Sequence, residues 1–153
     1  MGFKKKDQVE VLDINGHRMG IHRPSIAVVK RKSYQTPTYW EEGLGALRDN
    51  LKAIIFIPAK YRVYHDFPNT SAAAELPDVH WQSTDSLARK LGVQSINLTG
   101  PLREESRKLL LKNKFTFWKD DTHWNANGIA VAAKVLCARI KELGCAAALP
   151  GQN

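Results

Sequence analysis

The residues best placed to do chemistry lie in the segment FWKDDTHWNANG, positions 117 to 128. Asp120 and Asp121 precede His123 by three and two residues. Either carboxylate could accept a hydrogen bond from Nδ1 of the imidazole. That bond would fix the tautomer and stabilise the imidazolium that forms when Nε2 takes a proton. The segment therefore offers the acid and the base of a serine–histidine–aspartate site.

Two other interpretations of this segment stay open on the residues alone. The string could be a helix-capping loop with a structural histidine, in which Asn125 is the N-cap of the next helix. It could also be part of a metal site, with His65 and His80 as distant ligands. One loop supplies too few ligands for that, and Cys137 and Cys145 lack the C-x-x-C spacing of zinc sites. We therefore predict no metal and no cofactor, and we expect the cysteines to be buried free thiols.

Length and composition describe an ordinary globular chain. It has 153 residues, of which 43% are hydrophobic and 25% charged, enough for one domain with its own core. No apolar run approaches the roughly 18 residues of a transmembrane helix. The start, MGFKKKDQVEVLD, has a basic cluster with no apolar stretch behind it, unlike a secretory signal. On these grounds we expect a cytoplasmic chain, or one without its native N-terminus.

The net charge of +8 raises the question of an anionic partner. The basic residues fall in groups, namely residues 4–6, 30–32 and 103–119. Such a balance could favour nucleic acid or another anionic surface. Because no RNA-binding or DNA-binding motif accompanies the charge, we interpret it as a solvated surface and do not expect nucleic acid as a partner.

The first 36 residues have a pattern of their own. Two short alternating runs flank Asn15-Gly16, a dipeptide that suits a type I′ turn, so residues 9–22 predict a β-hairpin. The sequence IAVVK, residues 26–30, predicts a third short strand. We divide the chain into a basic hairpin region at 1–36, an α/β domain at 37–145 and a tail at 146–153.

From residue 37 onward the predicted helices and strands alternate. A capping box at Thr38 and Glu41 opens a helix, and AIIFIP, residues 53–58, predicts a strand buried on both faces. Ser83 or Thr84 is expected to cap a helix that ends at Gly92, and VQSINLT predicts the next strand. Apolar residues at helical spacing predict a last helix directly after the histidine. This alternation indicates an α/β layered domain with a parallel sheet.

The last stretch resembles the C-terminal block of the SGNH (GDSL-like) hydrolases, whose pattern is D-x-x-H-P-N-x-x-G. The match runs from Asp120 to Gly128, with Trp124 where proline is usual. The string D-T-H-W is similar to the branch that includes the alginate and cell-envelope polysaccharide O-acetylation proteins, which has D-x-H-W. That branch would make Asp121 the triad acid, whereas the standard pattern would choose Asp120. The branch match favours Asp121.

The resemblance covers about residues 40 to 143. IPAKYRVYHDF, residues 57 to 67, is similar to a segment of this branch in which proline, lysine and tyrosine follow a buried strand. LARKLGVQSINLTGPLRE is similar to its block of helix, strand and D-L-T-x-x-L, with Asn97 where aspartate is common. The resemblance implies a three-layer, flavodoxin-like parallel sheet flanked by helices. It also makes Lys60 and Tyr64 either structural or substrate-contacting residues, and Trp124 either a pocket wall or part of the core.

The nucleophile that the resemblance implies is missing. The chain contains no Gly-Asp-Ser and no Gly-x-Asn-Asp, the family's sources of the serine and of oxyanion donors. Ser25 precedes its predicted strand, whereas a nucleophile elbow follows one. Ser71, Ser83 and Ser86 lie in loops or helix starts, where capping is the commoner role, and Ser106 is mid-helix. We therefore expect an incomplete sheet, in the C-terminal part of a longer enzyme or in a homologue that has lost activity.

The function implied by the resemblance is ester hydrolysis, or acetyl transfer to or from a carbohydrate hydroxyl. His123 would be the general base and then the acid for the leaving alcohol. The expected partners are a carbohydrate or acyl-ester substrate, and the hairpin region or another chain to cover the open sheet edge. A non-catalytic glycan-binding or protein-binding module is the alternative, and a basic nucleic-acid-binding domain is the second alternative. The resemblance implies a place in the bacterial cell envelope or periplasm.

Overall fold

The structure is a computed structural model that describes residues 8–67 and 75–142. It begins with the predicted hairpin, in which β1 (Val9–Ile14) and β2 (His17–His22) pair antiparallel. Asn15 and Gly16 both have positive φ, at 53° and 78°, as a type I′ turn requires. The Asp13 carboxylate accepts a hydrogen bond of 2.8 Å from the Gly16 N–H. The hairpin prediction is confirmed.

The third strand predicted for IAVVK is wrong. The segment lies in a helix, α1 (Arg23–Val29), with Pro24 in its first turn. Proline is pre-organised for that position because its φ is fixed near the helical value. Ile26 and Val29, three residues apart, are the buried members of this helix. A helical period therefore overrides the strand preference of the β-branched residues.

The α/β part begins with α2 and alternates helices with two strands. The elements are α2 (Thr38–Ala46), β3 (Ala53–Phe56), α3 (Lys60–Tyr64), α4 (Val79–Leu91), β4 (Gln94–Asn97), α5 (Thr99–Leu110) and α6 (Ala126–Glu142). Strands β3 and β4 pair parallel, with Ala53 opposite Gln94 and Phe56 opposite Asn97. Within the described residues this sheet has two strands, as expected for an incomplete sheet.

Helices cover both faces of the parallel pair. On one face, Phe56 of β3 packs edge-on against Trp81 of α4, with ring centroids 5.8 Å apart. On the other face, Ile96 of β4 joins a core that includes Leu102 of α5 and Ala132 of α6. The predicted α/β fold, a parallel sheet flanked by helices with an N-terminal β-hairpin, is confirmed.

The hairpin shares this core with the α/β part. Ile14, Met19 and Ile21 are buried in one cluster with Val63 and Phe117. The hairpin therefore packs on the same hydrophobic centre as the helices behind the sheet. No helix in the described ranges is both long and apolar enough to cross a bilayer.

Several helix starts differ from the prediction. Helix α2 has Pro37 at its N-cap and no side-chain cap bond, so the capping box at Thr38 does not form. Helix α4 begins at Val79, and Ser83 and Thr84 lie inside it. The Thr84 hydroxyl is not a cap because it donates back to the His80 carbonyl oxygen at 2.9 Å. Helix α4 does end at Gly92 in the left-handed conformation, as predicted, with φ of 71°.

Two burial expectations also fail. The sequence AIIFIP was expected to be buried on both faces, but Ile55 and Ile57 are exposed. Cys137 lies on the side of α6 turned away from the core and is exposed, and Cys145 lies outside the described residues. An apolar run or a thiol predicts burial only where a neighbouring element covers it.

Candidate active site

A short closed loop presents the predicted acid and base. Phe117 and Trp124 form an antiparallel bridge. Next to it, the Trp118 N–H donates to the His123 carbonyl oxygen at 3.1 Å, and the Asn125 N–H donates to the Thr116 carbonyl oxygen at 3.1 Å. The backbone therefore fixes both ends of the segment that contains Asp120, Asp121 and His123.

The structure brings His123 and Asp121 together. Nδ1 of His123 lies 2.6 Å from Oδ1 of Asp121. The same carboxylate oxygen accepts a hydrogen bond from the His123 N–H at 3.2 Å and one from the Thr122 N–H. The imidazole bond first, and then the two backbone bonds, lower the pKa of Asp121 to about 2, against a raising effect of burial. The carboxyl group is therefore ionised at neutral pH.

This bond decides which imidazole nitrogen can act as a base. An ionised carboxylate can only accept, so Nδ1 must be the donor and Nε2 of the neutral ring is left as the acceptor. The His123 side chain is 77% exposed and that of Asp121 is 15% exposed. In the described part of the chain, no group is hydrogen-bonded to Nε2. The ring is held by its inner nitrogen and presents its basic nitrogen outward.

Asp120 lies differently. It is exposed, and no hydrogen bond among residues 8–67 and 75–142 joins its carboxylate to His123. Its negative charge acts on Lys60, whose pKa it helps to raise. Of the two candidate acids, only Asp121 has the geometry of an orienting carboxylate.

Lys60 binds the backbone of the loop from the side that faces the protein interior. Its ammonium is buried and donates to the carbonyl oxygens of Gly20 at 2.7 Å, Trp118 at 2.6 Å, Lys119 at 3.1 Å and Asp121 at 2.9 Å. Burial lowers the pKa of Lys60 to about 8, although the charges of Asp120 and Asp121 raise it. Because four carbonyl oxygens surround Nζ, the structure places Lys60 behind the acid–base pair and not in contact with solvent.

Asn125 joins the loop to α6. Its Oδ1 accepts from the Asn127 N–H at 3.0 Å and the Gly128 N–H at 3.3 Å, the pattern of a helix N-cap. Its Nδ2 donates to the Phe115 carbonyl oxygen at 2.8 Å. Asn127 Nδ2 donates to the same oxygen at 2.9 Å. The start of α6 is thereby tied to the strand-like segment in front of the loop.

Gly128 allows this close approach. A Cβ at this position would lie 2.2 Å from the Thr116 carbonyl oxygen and 3.1 Å from the Trp124 Cβ. Asn127 and Gly128 are not among the site residues predicted from the sequence. Gly128 is the last position of the matched N-x-x-G pattern, whereas Asn127 falls at one of its unspecified positions, and Thr116 is twelve residues away from Gly128.

An apolar groove opens beside the histidine. It has a volume of about 530 Å³ and is lined by residues that follow β3 and by the loop and α6, namely Ile57, Pro58, Ala59, Phe117, Thr122, His123, Trp124 and Ile129. Ligands of open α/β sheets bind outside the carboxyl ends of the strands, and this groove lies at the carboxyl end of β3. Trp124 lines it and also packs edge-on against Phe117, with ring centroids 6.5 Å apart.

Tyr64 does not line this groove. It is fully buried, and its hydroxyl accepts from the Thr116 N–H at 2.9 Å and lies 2.9 Å from the Thr116 Oγ1. The Ser106 hydroxyl donates to it at 3.3 Å. The structure thus places Tyr64 in a buried polar cluster beneath the loop.

No serine in the described residues is hydrogen-bonded to His123. Their hydroxyls have other partners where the structure gives them one: Ser25 lies 3.3 Å from His22 Nδ1, Ser83 accepts from the Thr36 N–H at 3.1 Å, and Ser106 lies 2.6 Å from Thr116 Oγ1. Ser71 lies outside the described residues. The described residues therefore supply an oriented base to the groove but no serine hydroxyl as the nucleophile.

The described residues contain no group of three or more histidine, cysteine or acidic side chains that could hold a metal ion. The two histidines considered as distant ligands bind backbone oxygens. Nδ1 of His65 lies 3.2 Å from the Arg62 carbonyl oxygen, and Nε2 of His80 lies 3.0 Å from the Val28 carbonyl oxygen.

Comparisons with known proteins agree with the family resemblance seen in the sequence. Residues 45–153 match the family model for the SGNH hydrolase-like domain of acetyltransferase AlgX. The chain is 35% identical over 86 residues to the probable alginate O-acetylase AlgJ of Pseudomonas aeruginosa, a match that covers 56% of this chain and 21% of that protein. It is 30% identical over 98 residues to AlgJ of Azotobacter vinelandii, covering 63% of this chain and 24% of that protein.

A solved structure shares the fold. The O-acetyltransferase domain of Pseudomonas putida AlgJ superposes with a TM-score of 0.56 at 20% sequence identity, and the match covers 94% of this chain and 50% of that chain. This chain therefore spans about half of the solved domain and less than a quarter of the length of the two curated relatives. The resemblance to SGNH hydrolases of the alginate O-acetylation branch is confirmed.

Proposed function

The chain belongs to the family of the SGNH hydrolase-like domain of acetyltransferase AlgX, and on that premise we propose that it supplies the acid–base part of a site that transfers acetyl groups to carbohydrate hydroxyls. The observation that carries the proposal is the 2.6 Å bond between His123 Nδ1 and the Asp121 carboxylate. It leaves Nε2 of a neutral imidazole as a proton acceptor at the edge of a groove.

The proposed reaction has two proton cycles. In the first, Nε2 of His123 takes the proton of a nucleophilic hydroxyl that attacks the acetyl carbonyl, and then returns the proton to the leaving alcohol. In the second, Nε2 takes the proton of a carbohydrate hydroxyl that attacks the acetylated nucleophile, and then reprotonates the released nucleophile. Asp121 stabilises the imidazolium in both cycles. The nucleophilic hydroxyl comes from outside the described residues.

The proposed acceptor is an anionic polysaccharide such as alginate. Two relatives are named as probable alginate O-acetylases. Alginate is a polyuronate, and a chain of net charge +8 attracts a polyanion. Trp124 and the exposed Ile57 and Ile129 give the groove apolar walls that suit a sugar face and an acetyl methyl group. This function would place the chain in the cell envelope, where such polysaccharides are modified.

A glycan-binding module without catalysis is the second candidate. It is favoured by one observation, namely that no serine in the described residues is hydrogen-bonded to His123. A base without a nucleophile and oxyanion donors retains little rate enhancement. The same groove could still hold a glycan.

The test is acetyl transfer from p-nitrophenyl acetate to alginate oligosaccharides. It is followed by release of p-nitrophenolate and by the mass of the oligosaccharide. The oligosaccharide hydroxyl can attack this activated donor directly with His123 as the base, so the assay does not require the nucleophile that lies outside the described residues. For the wild type and for Asp120→Asn, the matched control, we expect acetylated oligosaccharide. For His123→Ala we expect a loss of about 10²- to 10⁴-fold, the usual contribution of general acid–base catalysis.

The other outcomes separate the alternatives. Release of p-nitrophenolate without acetylated oligosaccharide would identify a hydrolase. Calorimetric binding of the oligosaccharide without release would identify the binding module. Neither binding nor release by the wild-type chain would contradict both candidates, and equal transfer by the wild type and His123→Ala would contradict the role of the histidine.

A further inference from the structure

Trp118 is a large aromatic residue that the core leaves uncovered in the acid–base loop. Phe115 and Phe117 of the same segment are buried, whereas Trp118 is 56% exposed. Single exposed apolar residues are common on protein surfaces and need no partner. The meaning of this one therefore depends on its position relative to the histidine.

The register of the loop places Trp118 beside His123. Phe117 and Trp124 form the antiparallel bridge, and the Trp118 N–H donates to the His123 carbonyl oxygen at 3.1 Å. Trp118 and His123 are therefore the next directly opposed pair. Side chains of such a pair leave the same face, with Cβ atoms about 5 Å apart. Successive pairs alternate, so Phe117 and Trp124 leave the other face, where their rings pack edge-on.

The exposure of the four side chains follows this alternation. Phe117 is buried and Trp124 is partly buried, whereas Trp118 and the His123 side chain are both more than half exposed. The candidate base therefore lies between two aromatic surfaces. Trp124 lines the apolar groove on the inner side, and the ring of Trp118 lies on the outer side.

The backbone of Trp118 is held at both of its polar groups. Its N–H binds the His123 carbonyl oxygen, and its own carbonyl oxygen accepts from the buried Lys60 ammonium at 2.6 Å. The His123 N–H donates to the Asp121 carboxylate, so Lys60 takes the place of the reciprocal bond of the pair. A tryptophan has only two side-chain torsions, and on a fixed backbone it loses little conformational entropy when a ligand binds.

We infer that the exposed face of Trp118 is a stacking platform for a sugar ring of the polysaccharide, next along the chain to the sugar whose hydroxyl reaches Nε2 of His123. The face of an indole is the negative part of its quadrupole, and the C–H bonds on one side of a pyranose present partial positive charge to it. The position of the reacting sugar rests on the proposed function, whereas stacking on Trp118 is a binding property of its own.

The charges next to Trp118 show what such a platform would recognise. Lys119 and Asp120 are both exposed and have opposite sign, so they largely cancel. The platform would therefore recognise the shape of the ring, while the net charge of +8 attracts the polyanion as a whole. Salt screens exposed charges but leaves apolar stacking in place, so the two contributions can be separated.

The test is binding of an alginate hexasaccharide to the complete 153-residue chain, measured by titration calorimetry without an acyl donor. Trp118→Ala and Trp118→Leu should each weaken binding by about three- to tenfold, because neither retains an aromatic face. Trp118→Tyr retains one and should bind within about twofold of the wild type. Tyr39→Leu, the matched control at an exposed position of α2, should leave binding unchanged.

Two further measurements distinguish stacking from a change in structure. Binding by every variant should weaken as salt rises, but the affinity ratio of the wild type to Trp118→Ala should stay constant. Nuclear Overhauser effects should connect the indole protons of Trp118 to sugar C–H protons. They should be absent for Trp81, whose ring packs against Phe56.

Four results would overturn the inference. These are no binding of the hexasaccharide by the wild type, equal binding by the wild type and Trp118→Ala, undiminished binding by Trp118→Leu, and an affinity ratio that falls to one at high salt. Trp118-dependent binding without acetyl transfer would support the platform and contradict the proposed reaction. His123-dependent transfer with binding that does not depend on Trp118 would support the reaction and overturn the platform.

Discussion

Replacement of Gly128 by alanine tests how the acid–base loop is attached to α6. The added Cβ would lie 2.2 Å from the Thr116 carbonyl oxygen, whereas ordinary contact begins at 3.4 Å. The carbonyl must therefore move by about 1 Å relative to the helix. It is held in place because it accepts a hydrogen bond from the Asn125 N–H, and Thr116 is fully buried.

The expected cost follows from three contributions. Overpacking of a tight site costs about 1–3 kcal/mol. Loss or distortion of the bond from Asn125 to Thr116 adds about 1 kcal/mol. Alanine in place of glycine inside a helix increases the free energy of unfolding by about 1 kcal/mol, which offsets part of this loss. The free energy of unfolding should thus fall by about 1–3 kcal/mol, which corresponds to a melting temperature lower by about 2–12 °C in a domain of this size.

Urea denaturation followed by far-UV circular dichroism measures the change. Gly43→Ala is the matched control, because Gly43 is also helical and a Cβ there meets nothing within 4 Å. The control should be more stable than the wild type by roughly 0.5–1 kcal/mol. If Gly128→Ala were also as stable as the wild type or more so, the close approach of α6 to Thr116 would be refuted.

Three further predictions concern the loop. Asp121→Asn should reduce acetyl transfer in the same oligosaccharide assay by about 10²- to 10⁴-fold, whereas Asp120→Asn should reduce it by less than about threefold. Equal losses of transfer would contradict the assignment of Asp121 as the acid. Lys60 has a pKa of about 8 in the folded chain and 10.5 as its usual value, so the unfolded chain binds more protons between these pH values. The stability of the wild type relative to Lys60→Met should therefore rise with pH from 8 to 10, by up to about 1.4 kcal/mol per unit in urea denaturation, and a flat or falling difference would refute the burial of the ammonium. Asn125→Ala should lower the free energy of unfolding by about 1–2 kcal/mol through loss of the cap, and an unchanged denaturation midpoint would contradict that role.

Local signals in the sequence predicted the hairpin and the acid–base contact. Asn15-Gly16 fixes the turn of the hairpin because both residues adopt positive φ. The i to i+2 spacing of Asp121 and His123 allows their side chains to form a hydrogen bond within one short loop. Both features depend on residues a few positions apart. They follow from local chemistry without knowledge of the rest of the fold.

Features that depend on distant contacts could not be predicted in this way. The Lys60 ammonium is surrounded by carbonyl oxygens from residues 40 to 61 positions away. The sequence context of Ile55 is that of a buried strand, and its exposure could not be predicted because it depends on which elements pack over the sheet. Even the short segment IAVVK could not be assigned to a helix or a strand from its sequence, because the outcome depends on which of its side chains the core buries.

The buried Lys60 ammonium makes the hairpin and the acid–base loop a single cooperative unit. Its Nζ binds Gly20 of β2 and three carbonyl oxygens of the loop, while the Gly20 N–H donates to the Lys119 carbonyl oxygen at 2.7 Å. If β2 detached from the core, the ammonium would lose one acceptor and the loop would lose a backbone partner in the same event. The N-terminal hairpin, far from the histidine in sequence, should therefore open and close together with the loop that presents it. Its amide exchange should report the integrity of that loop.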